Sequence, residues 1–144
     1  MIATPPNSFK TTLRVTWADT DAAQVVHFSR FFVYFERAEE EFYRSLNFSF
    51  ADLRSRGFWL PRVEALCQYR KPATFDDLLE IEVTVEELRE KSVKLGFNVA
   101  KKETAELLAT GHLVIVTADR NSKKAVQIPK EMIDKLRPFS KHIL

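Results

Sequence analysis

Cysteine and long apolar stretches are scarce in this sequence. Cys67 is the only cysteine among 144 residues, so an intrachain disulfide is excluded, and the side chain is most simply a small buried hydrophobe. No segment approaches the roughly 20 apolar residues of a membrane helix. The N-terminus lacks the basic and apolar regions of a secretory signal peptide. We therefore expect a cytoplasmic protein without membrane insertion.

A strong charge of either sign is also missing. The net charge of +2 is too small to indicate binding to nucleic acid or to a membrane surface. The length fits one domain over residues 1–144. Phenylalanine, in contrast, is frequent with 12 residues, which fits one crowded core or an apolar surface covered by a partner chain.

Apolar periodicity predicts one strand followed by one long helix. Phe9, Leu13, Val15 and Trp17 share parity with polar residues between them, which is typical of a half-buried strand. Ser29 is a candidate N-cap for a helix near residues 30–46. The apolar face of this helix recurs at Phe31, Tyr34, Phe35, Ala38, Phe42 and Leu46.

The remainder of the chain has mainly the alternation of β-strands. Four strands are expected, one with Val63, Ala65, Cys67 and Tyr69 on one face and the others near residues 79–85, 93–99 and 107–116. A helical turn at 51–56 and a short helix from Pro129 to Leu136 complete the pattern. Short turns favour antiparallel pairing, and the helix needs a sheet to bury its aromatic face. The predicted class is α+β, with an antiparallel sheet of about five strands around one helix.

Three motifs add a family resemblance. Residues 17–28 read WADTDAAQVVHF and are followed by SRFFVYFERAEEEF; later segments are YRKP at 69–72 with FDDLL at 75–79, and REKS at 89–92. In this order they resemble the 4-hydroxybenzoyl-CoA thioesterase-like family, which includes bacterial short-chain acyl-CoA and dihydroxynaphthoyl-CoA thioesterases. The resemblance covers nearly the whole chain.

The resemblance implies a hotdog fold, with a curved sheet wrapped around the helix, and hydrolysis of an acyl-CoA. It places the catalytic carboxylate at Asp21, as nucleophile or general base, and the carbonyl-polarising backbone N–H at Phe28. His27 would support or position the reactants, or simply pack in the loop. The family's sites form between two subunits, so a homodimer or homotetramer is expected. Coenzyme A is part of the substrate, and no metal or redox cofactor is implied.

Further residues are candidates for substrate contacts. Arg70, Lys71, Arg89 and Lys91 could bind the phosphates of coenzyme A, although a solvated charge is the simpler interpretation of any one of them. Trp17 could contact the acyl group. Aromatic residues near the loop and helix permit an aromatic acyl group as well as a short aliphatic one; they are Trp17, Phe28, Phe31, Phe32 and Trp59.

The sequence leaves several alternatives open. Asp19 and Asp21 could be turn residues that bind nearby N–H groups, and Glu36, Glu40 or Glu64 could supply another carboxylate. Gln24 stands where the family usually has glycine, which alters the loop or narrows the acyl pocket. Rival functions are a non-catalytic acyl-CoA-binding hotdog protein, a dehydratase or hydratase, whose H-F-P-G-like loop is not found, and a structural domain.

Overall fold

The computed structural model describes residues 7–142. Three α-helices are present in this range: α1 (Arg30–Ser45), α2 (Phe50–Ser55) and α3 (Lys130–Leu136). Short 3₁₀ turns lie at Trp17–Asp19 and Arg137–Phe139. The strands are β1 (Phe9–Arg14), β2 (Phe58–Trp59), β3 (Arg62–Tyr69), β4 (Leu78–Leu88), β5 (Ser92–Lys101), β6 (Leu107–Val116) and β7 (Ala118–Asp119). None of the helices described is long and apolar enough to cross a membrane.

Five strands form one antiparallel sheet in the order β1-β4-β5-β6-β3. The register shifts within the β4–β5, β5–β6 and β3–β6 pairs, and such bulges bend a sheet and increase its twist. Strands β2 and β7 form a separate two-stranded pair. The predicted α+β class, with five antiparallel strands and one main helix, is confirmed.

The core lies between α1 and the sheet. Tyr34, Phe35 and Phe42 on the helix are fully buried, and Phe35 stacks on Phe97 of β5 with ring centroids 4.5 Å apart. The alternating residues of β4 face them, with Leu79, Ile81, Val83 and Val85 all buried. The aromatic face of the helix therefore packs on the sheet as its 3.6-residue period predicts.

Gly111 of β6 lets α1 lie close to the sheet. A Cβ at this position would come within 2.7 Å of the Phe35 ring and would also strike the carbonyl oxygen of Leu66. Since neither neighbour has room to yield in a packed interior, only glycine fits here.

The first strand is shorter than predicted. It ends at Arg14, and Trp17 lies in a 3₁₀ turn with 81% of its surface exposed, so its assignment to the buried face of the strand was wrong. The reason is local: the Asp19 carboxylate accepts a hydrogen bond from the Thr16 N–H at 3.0 Å. A side chain that binds the nearby backbone in this way replaces the strand ladder with a turn.

Strand β3 is exposed on both faces. The predicted strand is present, but on the face that carries the apolar residues Val63 is 62% and Tyr69 47% exposed, and Cys67, which was expected to be buried, is only partly buried. This face is exposed because β3 is the edge strand, with β6 as its only neighbour in the sheet. The described residues thus leave an apolar strand edge uncovered.

Candidate active site

The loop between β1 and α1 is fixed to the helix by Asp19. Its Oδ2 accepts hydrogen bonds from the Thr16 N–H at 3.0 Å and from the Tyr34 hydroxyl at 2.9 Å. Burial alone would raise the pKa of Asp19, but these hydrogen bonds, together with the Arg30 guanidinium, outweigh burial and lower the pKa below its ordinary value. Asp19 therefore fits the alternative, left open by the sequence, that it is a turn residue whose side chain binds nearby N–H groups.

Asp21 has a more open position two residues later. Its Oδ1 accepts a hydrogen bond of 2.8 Å from the Ala23 N–H, while the Gln24 N–H donates to the Asp21 carbonyl at 2.9 Å. Within residues 7–142, no protein group donates to its Oδ2. One oxygen thus fixes the turn while the other is available to a substrate or a water molecule, so the turn-forming and reactive roles are compatible.

Gln24 adopts the backbone conformation that glycine favours. Its φ is 67°, in the left-handed region. The loop therefore follows a glycine-like path in spite of the glutamine side chain, at the expense of some backbone strain.

Ser29 directs its side chain to His27 rather than to the helix. It occupies the N-cap position of α1, as predicted, but it makes no side-chain capping hydrogen bond. Its hydroxyl lies 2.8 Å from Nδ1 of His27, and its backbone N–H donates to the same nitrogen at 3.2 Å. Because a nitrogen that accepts a hydrogen bond carries no proton, the neutral imidazole is assigned its proton on Nε2.

Phe28 presents a free backbone N–H just before α1. Its carbonyl accepts a hydrogen bond of 2.8 Å from the Tyr69 hydroxyl, but its own N–H has no protein acceptor in the part of the chain described. The His27 ring stacks on the Phe28 ring with centroids 4.4 Å apart. An unpaired N–H at the start of a helix is well suited to an oxygen that gains negative charge.

A cavity of about 290 Å³, called here the Phe28 cavity, lies beside this residue. It is lined by Val26, Phe28, Phe31, Tyr69, Arg70, Lys71 and Pro72. The structure therefore brings two of the four predicted phosphate-binding residues, Arg70 and Lys71, next to Phe28. Lys71 also pairs with Glu106 at 2.9 Å.

The other two basic candidates lie elsewhere in the protomer. Arg89 and Lys91 are in the hairpin between β4 and β5, at the opposite end of the sheet from Arg70. In the register of the sheet, seven residues of β5 separate the hairpin end at Ser92 from Val99, which lies level with Tyr69. Seven residues of strand span roughly 23 Å, so these side chains do not reach the Phe28 cavity of their own chain.

A larger cavity, of about 480 Å³, lies beside the middle of α1. Its lining combines aromatic and charged residues: Glu36, Glu40, Phe50, Leu53, Arg54, Phe58, Trp59, Leu60 and Arg62. The alternative carboxylates Glu36 and Glu40 belong to this cavity, whereas Glu64 instead lies 2.6 Å from Nε2 of His112. No cluster of three or more potential metal ligands occurs among residues 7–142.

Sequence reasoning missed a buried acidic residue behind this cavity. Glu39 is completely buried, and burial raises the pKa of its carboxyl to about 7 even though Arg62 lies 2.6 Å away. Its spacing could have shown this, because Glu39 lies four residues after Phe35 and three before Phe42 on the apolar face.

Comparisons with known proteins show the family to which the chain belongs. The sequence profile described as the Thioesterase-like superfamily matches residues 15–136. The acyl-CoA thioesterase YbgC of Haemophilus influenzae is 32% identical over 127 residues, covering 88% of this chain and 92% of the relative.

Solved structures give the same result. A 1,4-dihydroxy-2-naphthoyl-CoA thioesterase from Synechocystis superposes with a TM-score of 0.87 at 26% identity, covering 91% of this chain and 96% of that one. A gentisyl-coenzyme A thioesterase superposes with a TM-score of 0.80 at 29% identity, covering 87% and 99%. The expected hotdog fold is thereby confirmed.

Proposed function

Since the chain belongs to the thioesterase-like superfamily, we propose that it hydrolyses an acyl-CoA to the free acid and coenzyme A, with Asp21 as nucleophile or general base. The observation that carries this proposal is the free N–H of Phe28 at the start of α1, beside the loop that presents Asp21. The names of the relatives support thioester hydrolysis as the reaction class.

The proposed chemistry uses both groups at once. The Phe28 N–H and the positive end of α1 would stabilise the oxyanion formed when the thioester carbonyl is attacked. The free oxygen of Asp21 would either attack the carbonyl carbon or remove a proton from the attacking water. The carbon–sulfur bond then breaks, and coenzyme A leaves as a thiolate that takes up a proton. His27, with its proton on Nε2, would position the thioester or the water.

A homodimer would bring the four candidate phosphate-binding residues together. If the exposed edge of β3 pairs antiparallel with the same strand of a second copy, the strand direction reverses across the two-fold axis. The hairpin that carries Arg89 and Lys91 in one copy then lies at the same end of the joined sheet as Arg70 and Lys71 of the other copy. All four basic residues could thus contribute to binding one set of phosphates. We expect this dimer to occur alone or within a tetramer.

The acyl group is proposed to be aromatic or short. The names of two structural neighbours refer to aromatic acyl groups, dihydroxynaphthoyl and gentisyl, and aromatic side chains line both cavities. Hydrolysis by a carboxylate and water requires no metal or redox cofactor. The single cysteine fits the cytoplasm as the proposed location.

Thiol release from a panel of aliphatic and aromatic acyl-CoAs tests this function. Asp21→Asn keeps the size of the side chain but removes its charge, and should lower kcat by at least about 100-fold with a smaller effect on KM. Asp134→Asn, an exposed aspartate on α3, is the matched control and should keep normal activity. Asp19→Asn is unsuitable as a control, because Asp19 fixes the loop to Tyr34. Normal kcat in Asp21→Asn would remove Asp21 from the mechanism.

The rival function is acyl-CoA binding without catalysis. It is favoured by the engagement of Asp21 Oδ1 in the turn and by the glutamine side chain at position 24. Clear binding of acyl-CoA without thiol release by the unmodified protein would establish it.

Light scattering tests the assembly. We expect at least twice the protomer mass of 16.7 kDa at micromolar concentration. A mass equal to that of one protomer would contradict the homodimer.

A further inference from the structure

The wall of the larger cavity contains an ion pair that the proposed catalytic step does not use. Oε1 of Glu39 accepts a hydrogen bond of 2.6 Å from Nη2 of Arg62, while Oε2 has no partner among the described residues. Burying a charged pair costs several kcal/mol in lost hydration, and an apolar pair of similar size is often at least as stable. Stability alone is therefore a weak explanation for this pair. The position of Arg62 at the cavity wall requires a further explanation.

Arg62 is held in one orientation at the cavity wall. Besides Glu39, its Nη1 donates to the Leu60 carbonyl at 3.0 Å, and its guanidinium lies over the Phe50 ring at 5.5 Å from the centroid. Its side chain remains 30% exposed, and the residue lines the cavity. A guanidinium has five N–H groups, so donors remain after these two hydrogen bonds.

The rest of the cavity indicates what those donors could bind. Aromatic and aliphatic side chains form most of the lining, which suits an apolar body. Glu36 and Glu40 also line it, and their charges would repel a carboxylate on the ligand. A neutral oxygen, which can accept from Arg62 without adding charge, fits this lining better than an anion.

We propose that Arg62, held by Glu39, is a specificity-determining residue that donates a hydrogen bond to a neutral oxygen, such as a hydroxyl, at the far end of the acyl group. Glu39 acts through Arg62 and is a positioning residue. This inference rests on the proposed function and on the homodimer described with it. Antiparallel pairing of β3 about a two-fold axis brings Arg62 of one copy toward Tyr69 of the other, at the Phe28 cavity.

Matched thioesters that differ by one oxygen test the proposal. The pairs are 4-hydroxybenzoyl-CoA with benzoyl-CoA, and 6-hydroxyhexanoyl-CoA with hexanoyl-CoA. For at least one pair the wild-type protein should prefer the hydroxylated member by about 10-fold in kcat/KM, as one hydrogen bond to a charged donor predicts. Arg62→Met should bring this ratio to about 1, because the unsubstituted member has no oxygen to accept a hydrogen bond from the guanidinium.

Two further variants separate positioning from folding. Glu39→Gln should reduce the ratio, because the guanidinium loses its charged partner, whereas a purely structural defect would slow both substrates equally. The double variant Glu39→Gln/Arg62→Met removes both charges and keeps the test usable if Arg62→Met alone does not fold. Arg56→Met is the matched control: Arg56 also has a carboxylate partner at 2.6 Å, Glu131, and also lies over an aromatic ring, Phe58, but it does not line the cavity.

The outcomes distinguish this inference from the proposed function. Hydrolysis of all four thioesters without a preference, or a preference unchanged in Arg62→Met, would overturn the role of Arg62 and leave the thioesterase function standing. If none of the four is hydrolysed, the wider acyl-CoA panel decides whether the proposed catalysis fails, and the preference within each pair is measured as a ratio of dissociation constants by calorimetry. Equal affinities within each pair would in that case overturn the proposal.

Discussion

Glu39 should make the stability of the protein depend on pH. Burial raises the pKa of this carboxyl from 4.5 to about 7 in the folded state. Because the folded pKa lies above the unfolded one, the full contribution of Glu39 to stability is present below about pH 4.5 and is lost as the pH rises through about 7. At about 1.4 kcal/mol per pKa unit, this loss is of order 3 kcal/mol.

The measurement compares the wild-type protein with Glu39→Gln. Urea denaturation at several values between pH 5 and 8, at one fixed protein concentration, gives the free energy of unfolding of each. The free energy of unfolding of the wild type, relative to that of Glu39→Gln, should fall by about 2.5 kcal/mol between pH 5 and pH 8. Glu40→Gln is the control, because Glu40 pairs with Arg44 at the helix surface. A difference for Glu39→Gln that stays constant with pH would refute a buried carboxyl that ionises near neutrality.

Two other substitutions test the packing and the loop. Gly111→Ala should lower the free energy of unfolding by about 1–3 kcal/mol, because the added methyl group meets the Phe35 ring and the Leu66 carbonyl; an unchanged melting temperature would contradict this close approach. Tyr34→Phe removes the hydroxyl that donates to the buried Asp19 and should cost about 1–3 kcal/mol at neutral pH. The cost should shrink as the pH falls and Asp19 is protonated, and a cost that does not change with pH would argue against this hydrogen bond.

Helices and strands were predictable from the sequence where the face marked by apolar periodicity is also the face that is buried. The aromatic period of α1 and the alternation of β4 each describe one face that meets the core, so both were found. The alternation of β3 is just as regular, but burial of that face depends on its place at the sheet edge, which is a property of the topology.

The candidate site was only partly predictable for a related reason. Asp19 and Asp21 are the same residue type two positions apart, and what distinguishes them is Tyr34, fifteen residues away along the chain. Glu39 stands first in a run of three glutamates that resembles a solvated helix surface, and its partner Arg62 is on another element. These residues differ in role because of contacts between elements that are distant in sequence, and a single sequence does not reveal those contacts.

Ser29 shows a cost of the arrangement at the start of α1. A serine in this position could cap the helix and stabilise the fold by about 1 kcal/mol, but its hydroxyl is bonded to His27. The protein thus gives up stability at the one helix end that is proposed to bind the substrate carbonyl. Selection for thermal stability alone would favour substitutions that cap the free N–H groups at the start of α1. The resulting variants would become more heat-resistant while losing turnover. Thermostabilised libraries of this protein therefore need a screen for activity at residues 27–30.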